Sequence, residues 1–406
     1  FAEERKIRLL REAGYNAVRC AHNPCSKALL DACDRLGMLV MDEYADMWYT
    51  HKTVHDYAST LPERWREDLR DIVDKDYNHP SVVLYSIGNE VSETAQPRGI
   101  ALCGEMTEYL HSLDDRPVTC GINIFFNFLS SMGFGVYSDK KAERDAAQAE
   151  KRRDRPVKKK AVGSEFFNNL AGLFGSGFMK FGATLHGSDV KTRDAFAKLD
   201  AAGYNYGEKR YEKDLRKYPD RVIVGSETFC ADAFRFWDLA KQHPALIGDF
   251  VWTGIDYLGE VGLGAMEYKD YAPDFSHGPG WIAAGVGVLD LTGQSTGQTA
   301  YTQVAFERSP IRIAVVPADH AFEPHSPSAW RLTNAQESWA WNGCEGRETR
   351  VEIYARGAEA ALFLNGRQMG RRRLDRDGRC AFRVAWAPGK LAAVGAVGDG
   401  RSEEHT

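Results

Sequence analysis

Over roughly its first 310 residues the chain alternates short apolar, β-branched runs with amphipathic stretches of helical period. Strand-type runs at 16–20, 38–42, 81–89, 117–122, 203–206, 222–226 and 246–252 are separated by helical patterns such as Lys27–Leu36, Pro62–Asp76 and Ile100–Leu113. Strict strand–helix alternation builds a parallel sheet covered by helices, and repeated this often it closes into a barrel. In such a barrel the reactive groups sit at the C-terminal ends of the strands. Two runs end on a carboxylate. Val82-Val83-Leu84-Tyr85-Ser86-Ile87-Gly88-Asn89 stops at Glu90, and Arg221-Val222-Ile223-Val224-Gly225-Ser226 stops at Glu227.

The fold expected is α/β: a TIM (β/α)₈ barrel lacking its first strand, followed by a small all-β sandwich. The strands present count as the second to the eighth. The chain opens instead on a helical pattern, Phe1–Ala13, stopped by Gly14, with no initiator Met. The barrel is expected over 1–310, interrupted by an insertion at about 125–199. That insertion holds the charged stretch Asp139–Lys160, ending in Lys158-Lys159-Lys160, and the apolar, Gly-rich Phe166–Phe181. It reads either as a solvated helix and loop over the barrel mouth or as a lid or subunit contact.

From Pro310 the texture changes to short β-type runs at 349–354, 360–364 and 380–386. The turn signals Asn365-Gly366 and Asp377-Gly378 separate them, and a sandwich is expected over 311–400. Arg371-Arg372-Arg373 reads as a solvated edge that discourages strand pairing. Residues 401–406 read as a tail foreign to the natural protein.

With 406 residues, 43% hydrophobic, 27% charged and a net charge of −5, the chain offers no basic face for nucleic acid. No apolar run approaches the ~20 residues that span a bilayer. Eight cysteines form no CxxC pair, so neither a metal site nor a disulfide framework is expected, and a reducing bacterial cytoplasm is the expected location. No cofactor is expected. The partner expected is a carbohydrate, with homo-oligomerisation an option for the full-length protein.

Two carboxylates facing each other across a pocket are the equipment for glycoside hydrolysis, and retention needs them ~5–5.5 Å apart. Several stretches resemble glycoside hydrolase family 2, the β-galactosidase and β-glucuronidase group. They are Asn16–Pro24 with Arg19 and His22, Leu30–Glu43, His79–Glu90, Ser226-Glu227, and Gly248–Asp256 with Trp252. The resemblance covers about residues 1–310. It implies that Glu90 is the acid/base, Glu227 the nucleophile, Tyr206 the hydroxyl bonded to that nucleophile, and Asn89, Arg19, His22 and Trp252 the substrate-binding residues. Plainer roles stand beside these: Arg19 pairing with Glu227, His22 a satisfied loop histidine, Trp252 and Tyr206 packing. Asp42 and Glu43 read as pocket-lining or as a network with Arg19, and Asp46 and Trp48 as sugar contacts. The stretch Gly285–Ser295 carries no Asn-x-Lys uronate signature, and a lysine there would give a carboxylate a charge-assisted bond. The activity expected is therefore a retaining exo-β-glycosidase on terminal β-D-galactosides. A β-glucuronidase or β-galacturonidase and a non-catalytic carbohydrate-binding fragment are the alternatives.

Overall fold

The computed structural model describes residues 1–406 except 136, 153–176, 261, 262, 265, 267, 269–282, 326, 327, 398, 399 and 406. Among the described residues, seven parallel strands form one sheet in sequential order: β1 (Ala17–Cys20), β2 (Leu39–Glu43), β3 (Val82–Asn89), β4 (Val118–Asn123), β5 (Ala201–Asn205), β6 (Val222–Phe229) and β7 (Leu246–Trp252). Each neighbouring pair is parallel and joined by one or more helices, as the alternating pattern requires. The sheet curls into a nearly closed barrel whose two ends are β1 and β7.

Local chemistry fixes the helices outside it. Ser26 accepts from the Leu29 N–H to start Lys27–Leu36, and Gly37 ends that helix in the left-handed conformation (φ 67°). Asp34 on that helix binds the His79 ring at 2.6 Å and the Ser81 N–H at 3.0 Å, which ties it to the entry of β3. Leu61–Asp76 buries Leu61, Trp65, Leu69, Ile72 and Val73, a stripe at helical spacing turned to the sheet.

Two strand ends differ from the sequence reading. Tyr206 leaves the β5 ladder with φ 54°, so the strand stops at Asn205. β6 continues to Phe229, so Glu227 lies inside its last turn of pleat rather than beyond it. Between β4 and β5 the described part of the insertion is helical: Ile124–Ser131, Asp139–Arg152, Gly177–Gly182, His186–Val190 and Arg193–Phe196. Lys158-Lys159-Lys160 and most of Phe166–Phe181 lie outside the described residues.

Two antiparallel sheets follow. One runs β11 (Arg367–Arg373), β10 (Glu359–Leu364), β13 (Leu391–Val397), β14 (Gly400–His405), and the other β12 (Arg379–Ala385), β9 (Glu348–Ala355), β8 (Ile311–Val315). Ile313, Val351, Ile353, Leu362, Phe382 and Trp386 fill the space between them. Asn365-Gly366 makes the β10–β11 turn with both residues at positive φ, 52° and 79°. Arg371–Arg373 are exposed on β11, an edge of its sheet. No helix among the described residues is long and apolar enough to cross a membrane.

Gly88 shows how tightly the β3 end is packed. Trp48 is fully buried and donates its indole N–H to the Ile87 carbonyl at 2.9 Å. A Cβ at position 88 would lie 2.8 Å from that indole nitrogen. Gly88→Ala is predicted to destabilise the protein by about 1–3 kcal/mol through overpacking. Urea unfolding checks this, and an unchanged midpoint would show that Trp48 is free to move.

Candidate active site

Strands β3 and β6 deliver the two glutamates to one cavity of about 600 Å³ at the barrel mouth. Arg19, His22, Asn89, Glu90, Tyr206, Glu227 and Trp252 all line it. Glu90 takes a left-handed backbone (φ 44°), with its N–H donating to the Gly121 carbonyl at 2.7 Å. Tyr206 does the same beside Glu227, donating its N–H to the Glu227 carbonyl at 2.7 Å. With Glu260 (φ 41°), three non-glycine residues lining the cavity take positive φ, which marks a site where surrounding structure holds the backbone against its preference.

The buried Arg19 guanidinium organises the floor. Its Nε and Nη2 donate to Glu43 Oε2 at 2.9 and 2.7 Å, and Nη2 also reaches Asn89 Oδ1 at 2.8 Å. Nη1 donates to Glu227 Oε2 at 3.0 Å and to the Ser226 carbonyl at 2.8 Å. Glu227 Oε1 accepts from the Tyr206 hydroxyl at 2.5 Å, and the Trp330 indole N–H donates to that same hydroxyl at 2.8 Å.

Glu90 is held differently. Asn123 donates to its Oε1 at 2.8 Å and Asn205 at 3.3 Å. The same Asn205 nitrogen reaches Glu227 Oε2 at 3.0 Å and Asn89 Oδ1 at 2.9 Å. One amide nitrogen thus stands between the two carboxyl groups. Burial, followed by the negative charge of Glu227, pushes Glu90 up to about 7, against the smaller opposing pulls of Lys52, Asn123 and Asn205. In Glu43 burial acts upward too, but the Arg19 charge and the bonds from His22 and Ser86 outweigh it and hold the group at about 2. The His22 ring, bonded to Glu43 at 2.7 Å, is held above its ordinary value by that partner against the opposing effect of burial. His22 also stacks parallel on Trp252 with centroids 5.0 Å apart.

Asp46 lines the cavity as well. Its Oδ1 accepts from Lys52 at 2.7 Å and from Asn89 at 2.9 Å, and the Lys52 ammonium also reaches the Asn89 carbonyl at 3.0 Å. Two sequence expectations are corrected. Trp48 is buried against Ile87 and is not among the residues lining this cavity. Asp42 neither lines the pocket nor pairs with Arg19; it takes the Lys75 ammonium at 2.8 Å and the Cys25 N–H at 3.0 Å. Successive strand residues face opposite ways, so with Glu43 turned inward Asp42 must turn outward. Glu43 itself lies beneath Arg19 and His22 with no exposed surface. Sequence reading passed over Asn123, Asn205, Lys52, Tyr137 and Trp330. The two asparagines had a signal, since each ends an apolar strand as Asn89 does, whereas Trp330 had none.

Residues 3–180 match the model of the glycosyl hydrolases family 2 TIM barrel domain. Residues 3–180 therefore carry the glycoside hydrolase family 2 TIM barrel domain. Residues 346–402 match a second family, a domain of unknown function (DUF4982). The β-galactosidase BoGH2A of Bacteroides ovatus is 28% identical over 97% of this chain and 44% of its own length. A β-glucuronidase of Felis catus is 33% identical over 27% of this chain and 17% of its own. Among solved structures, a family 2 member from Bacteroides cellulosilyticus superposes with a TM-score of 0.75 at 32% identity, covering 100% of this chain and 45% of that one. The chain therefore spans less than half the length of these family 2 relatives.

The environment of Glu90 sets a titration. Its protonated form should be lost as pH rises through about 7. Lys52→Met should move that loss to higher pH, because the ammonium favours the ionised form. Infrared difference titration against Glu90→Gln reads the carboxyl band directly. A carboxyl already ionised well below that pH would refute the electrostatic account.

Proposed function

We propose that the protein is an exo-acting, retaining β-glycosidase that releases terminal β-D-galactose, with Glu227 as nucleophile and Glu90 as acid/base. The observation that carries this reading is the unequal setting of two carboxyl groups separated by one amide. Glu227 is bonded by a guanidinium and a phenol as well as by Asn205, and Glu90, among the described residues, by the neutral amides of Asn123 and Asn205. Glycoside hydrolysis with retention needs that division, one carboxylate to attack and one protonated carboxyl to donate.

In the first step a Glu227 oxygen attacks the anomeric carbon while Glu90 passes its proton to the departing glycosidic oxygen. The Tyr206 hydroxyl and Arg19 keep Glu227 aimed. In the second step Glu90, now ionised, takes a proton from water, which attacks the same carbon and frees Glu227. Microscopic reversibility gives one residue both proton transfers. Asn89 and Asp46 supply polar contacts for sugar hydroxyls, and Trp252, held flat by His22, supplies an apolar face.

Charge favours a neutral sugar. Of the described residues lining the cavity, the lysine and the arginine both have acidic partners: Lys52 has Asp46, and Arg19 has Glu43 and Glu227. All three Arg19 nitrogens already donate to protein acceptors. A uronate carboxylate would enter among Glu227, Asp46 and Glu260 without an anchor among the described residues. Burying an unpaired carboxylate costs several kcal/mol, and each ~1.4 kcal/mol is a factor of ten in rate. The β-glucuronidase alternative rests on the likeness to the feline enzyme over its shared stretch.

Aryl β-galactoside should therefore be turned over at least ~100-fold faster in kcat/KM than aryl β-glucuronide. Glu90→Ala should spare activated aryl galactosides and lose unactivated ones, because a good leaving group needs little protonation. Faster glucuronide or galacturonide turnover would overturn the neutral-sugar reading, and equal loss on both kinds of aryl galactoside would overturn the role of Glu90.

A further inference from the structure

Cys20 ends β1, and its register partner on β2 is Asp42. Both turn away from the barrel interior, opposite to Arg19 and Glu43. Cys25 lies five residues on, where the loop enters the helix Lys27–Leu36, and its N–H donates to Asp42. The Cys20 sulfur, the Cys25 sulfur and an Asp42 oxygen lie within 4.8 Å of one another. The Lys75 ammonium stands 3.9 Å from the Cys25 sulfur and 2.8 Å from Asp42 Oδ2. Both thiols are half-buried, whereas Cys33, Cys103, Cys120, Cys230 and Cys344 are fully buried.

We infer that Cys20 and Cys25 form an oxidisable dithiol that a hydroperoxide closes into a disulfide. Cys25 reacts first, because its sulfur is the one that stands beside the Lys75 ammonium, at 3.9 Å. The Cys20 proton is retained by its bond to Cys25 and by burial, which raise that thiol well above its ordinary value. The Cys25 thiolate attacks one peroxide oxygen, the O–O bond breaks, and the leaving hydroxide is protonated to water. Cys25 is then a sulfenic acid. The Cys20 sulfur attacks the Cys25 sulfur, the S–S bond forms, and the sulfenic hydroxyl leaves with the Cys20 proton as a second water. Two thiols lose two electrons and the hydroperoxide gains them.

A metal is the weaker occupant, because the Lys75 ammonium already fills the cation position between Asp42 and Cys25. The disulfide has a consequence for the cavity. It clamps both ends of Ala21–Pro24, the loop that carries His22 to Glu43 and Trp252. None of this depends on which glycoside the protein cleaves.

The sequence makes the test direct, since trypsin cleavage after Arg19 and Lys27 puts both cysteines in one peptide. The full chain would be treated with hydrogen peroxide, alkylated after denaturation and mapped by mass spectrometry. The expected peptide is about 2 Da lighter than the dithiol form, carries no alkyl group, and regains two alkylation sites after dithiothreitol. Cys25→Ser should leave Cys20 alkylatable under the same treatment. A wild-type peptide doubly alkylated after peroxide would overturn the inference, as would Cys25 oxidised to sulfinic acid beside a free Cys20. The wild-type map alone decides if the variant fails to fold.

Discussion

The buried guanidinium of Arg19 is the contact on which the site rests. It joins β1 to β2 through Glu43, to β3 through Asn89 and to β6 through Glu227, so four strand ends are registered by one side chain. A guanidinium out of water is costly unless every donor finds an acceptor, and here each nitrogen does. Removing Arg19 would leave Glu43 and Glu227 buried without their cation, at a cost on the order of 3–5 kcal/mol. The same positive charge pairs with two carboxylates, while Glu90, the next acid in the cavity, holds its proton up to about 7 because of burial first and the Glu227 charge second.

The two glutamates divide because their neighbours differ in kind. Glu227 meets a cation and a phenol whose own proton is held firmly by burial and by the nearby carboxylates. Glu90 meets asparagine amides, which orient it without neutralising it. Trp330, from the connection between β8 and β9, steadies the phenol. The part of the chain beyond the barrel strands therefore contributes to the geometry of the Glu227 carboxylate.

Most of the barrel was legible because parallel strands are buried on both faces and read as unbroken apolar runs. Both glutamates were legible because each interrupts such a run with a charge. Asp42 and Glu43 were not separable by composition; only the alternation of the strand assigns one to the cavity and the other to Lys75. Trp48 misled because a tryptophan just past a strand end looks like a sugar platform, whereas here it closes over Gly88. Asn205 was hidden by the more conspicuous tyrosine after it. Trp330 could not be found from its own neighbourhood, since its role arises from packing more than a hundred residues away in sequence from Tyr206.

The central claim is that Glu227 becomes covalently attached to the sugar. Incubation with an activated 2-deoxy-2-fluoro-β-galactoside, which slows release of the intermediate, followed by peptide mass mapping, tests it most directly. The account predicts one stable fluorogalactosyl adduct per chain, on Glu227 in the peptide Val222–Arg235. An adduct on Glu90 or another residue, or turnover of the parent galactoside with first product of inverted configuration and no adduct, would contradict it.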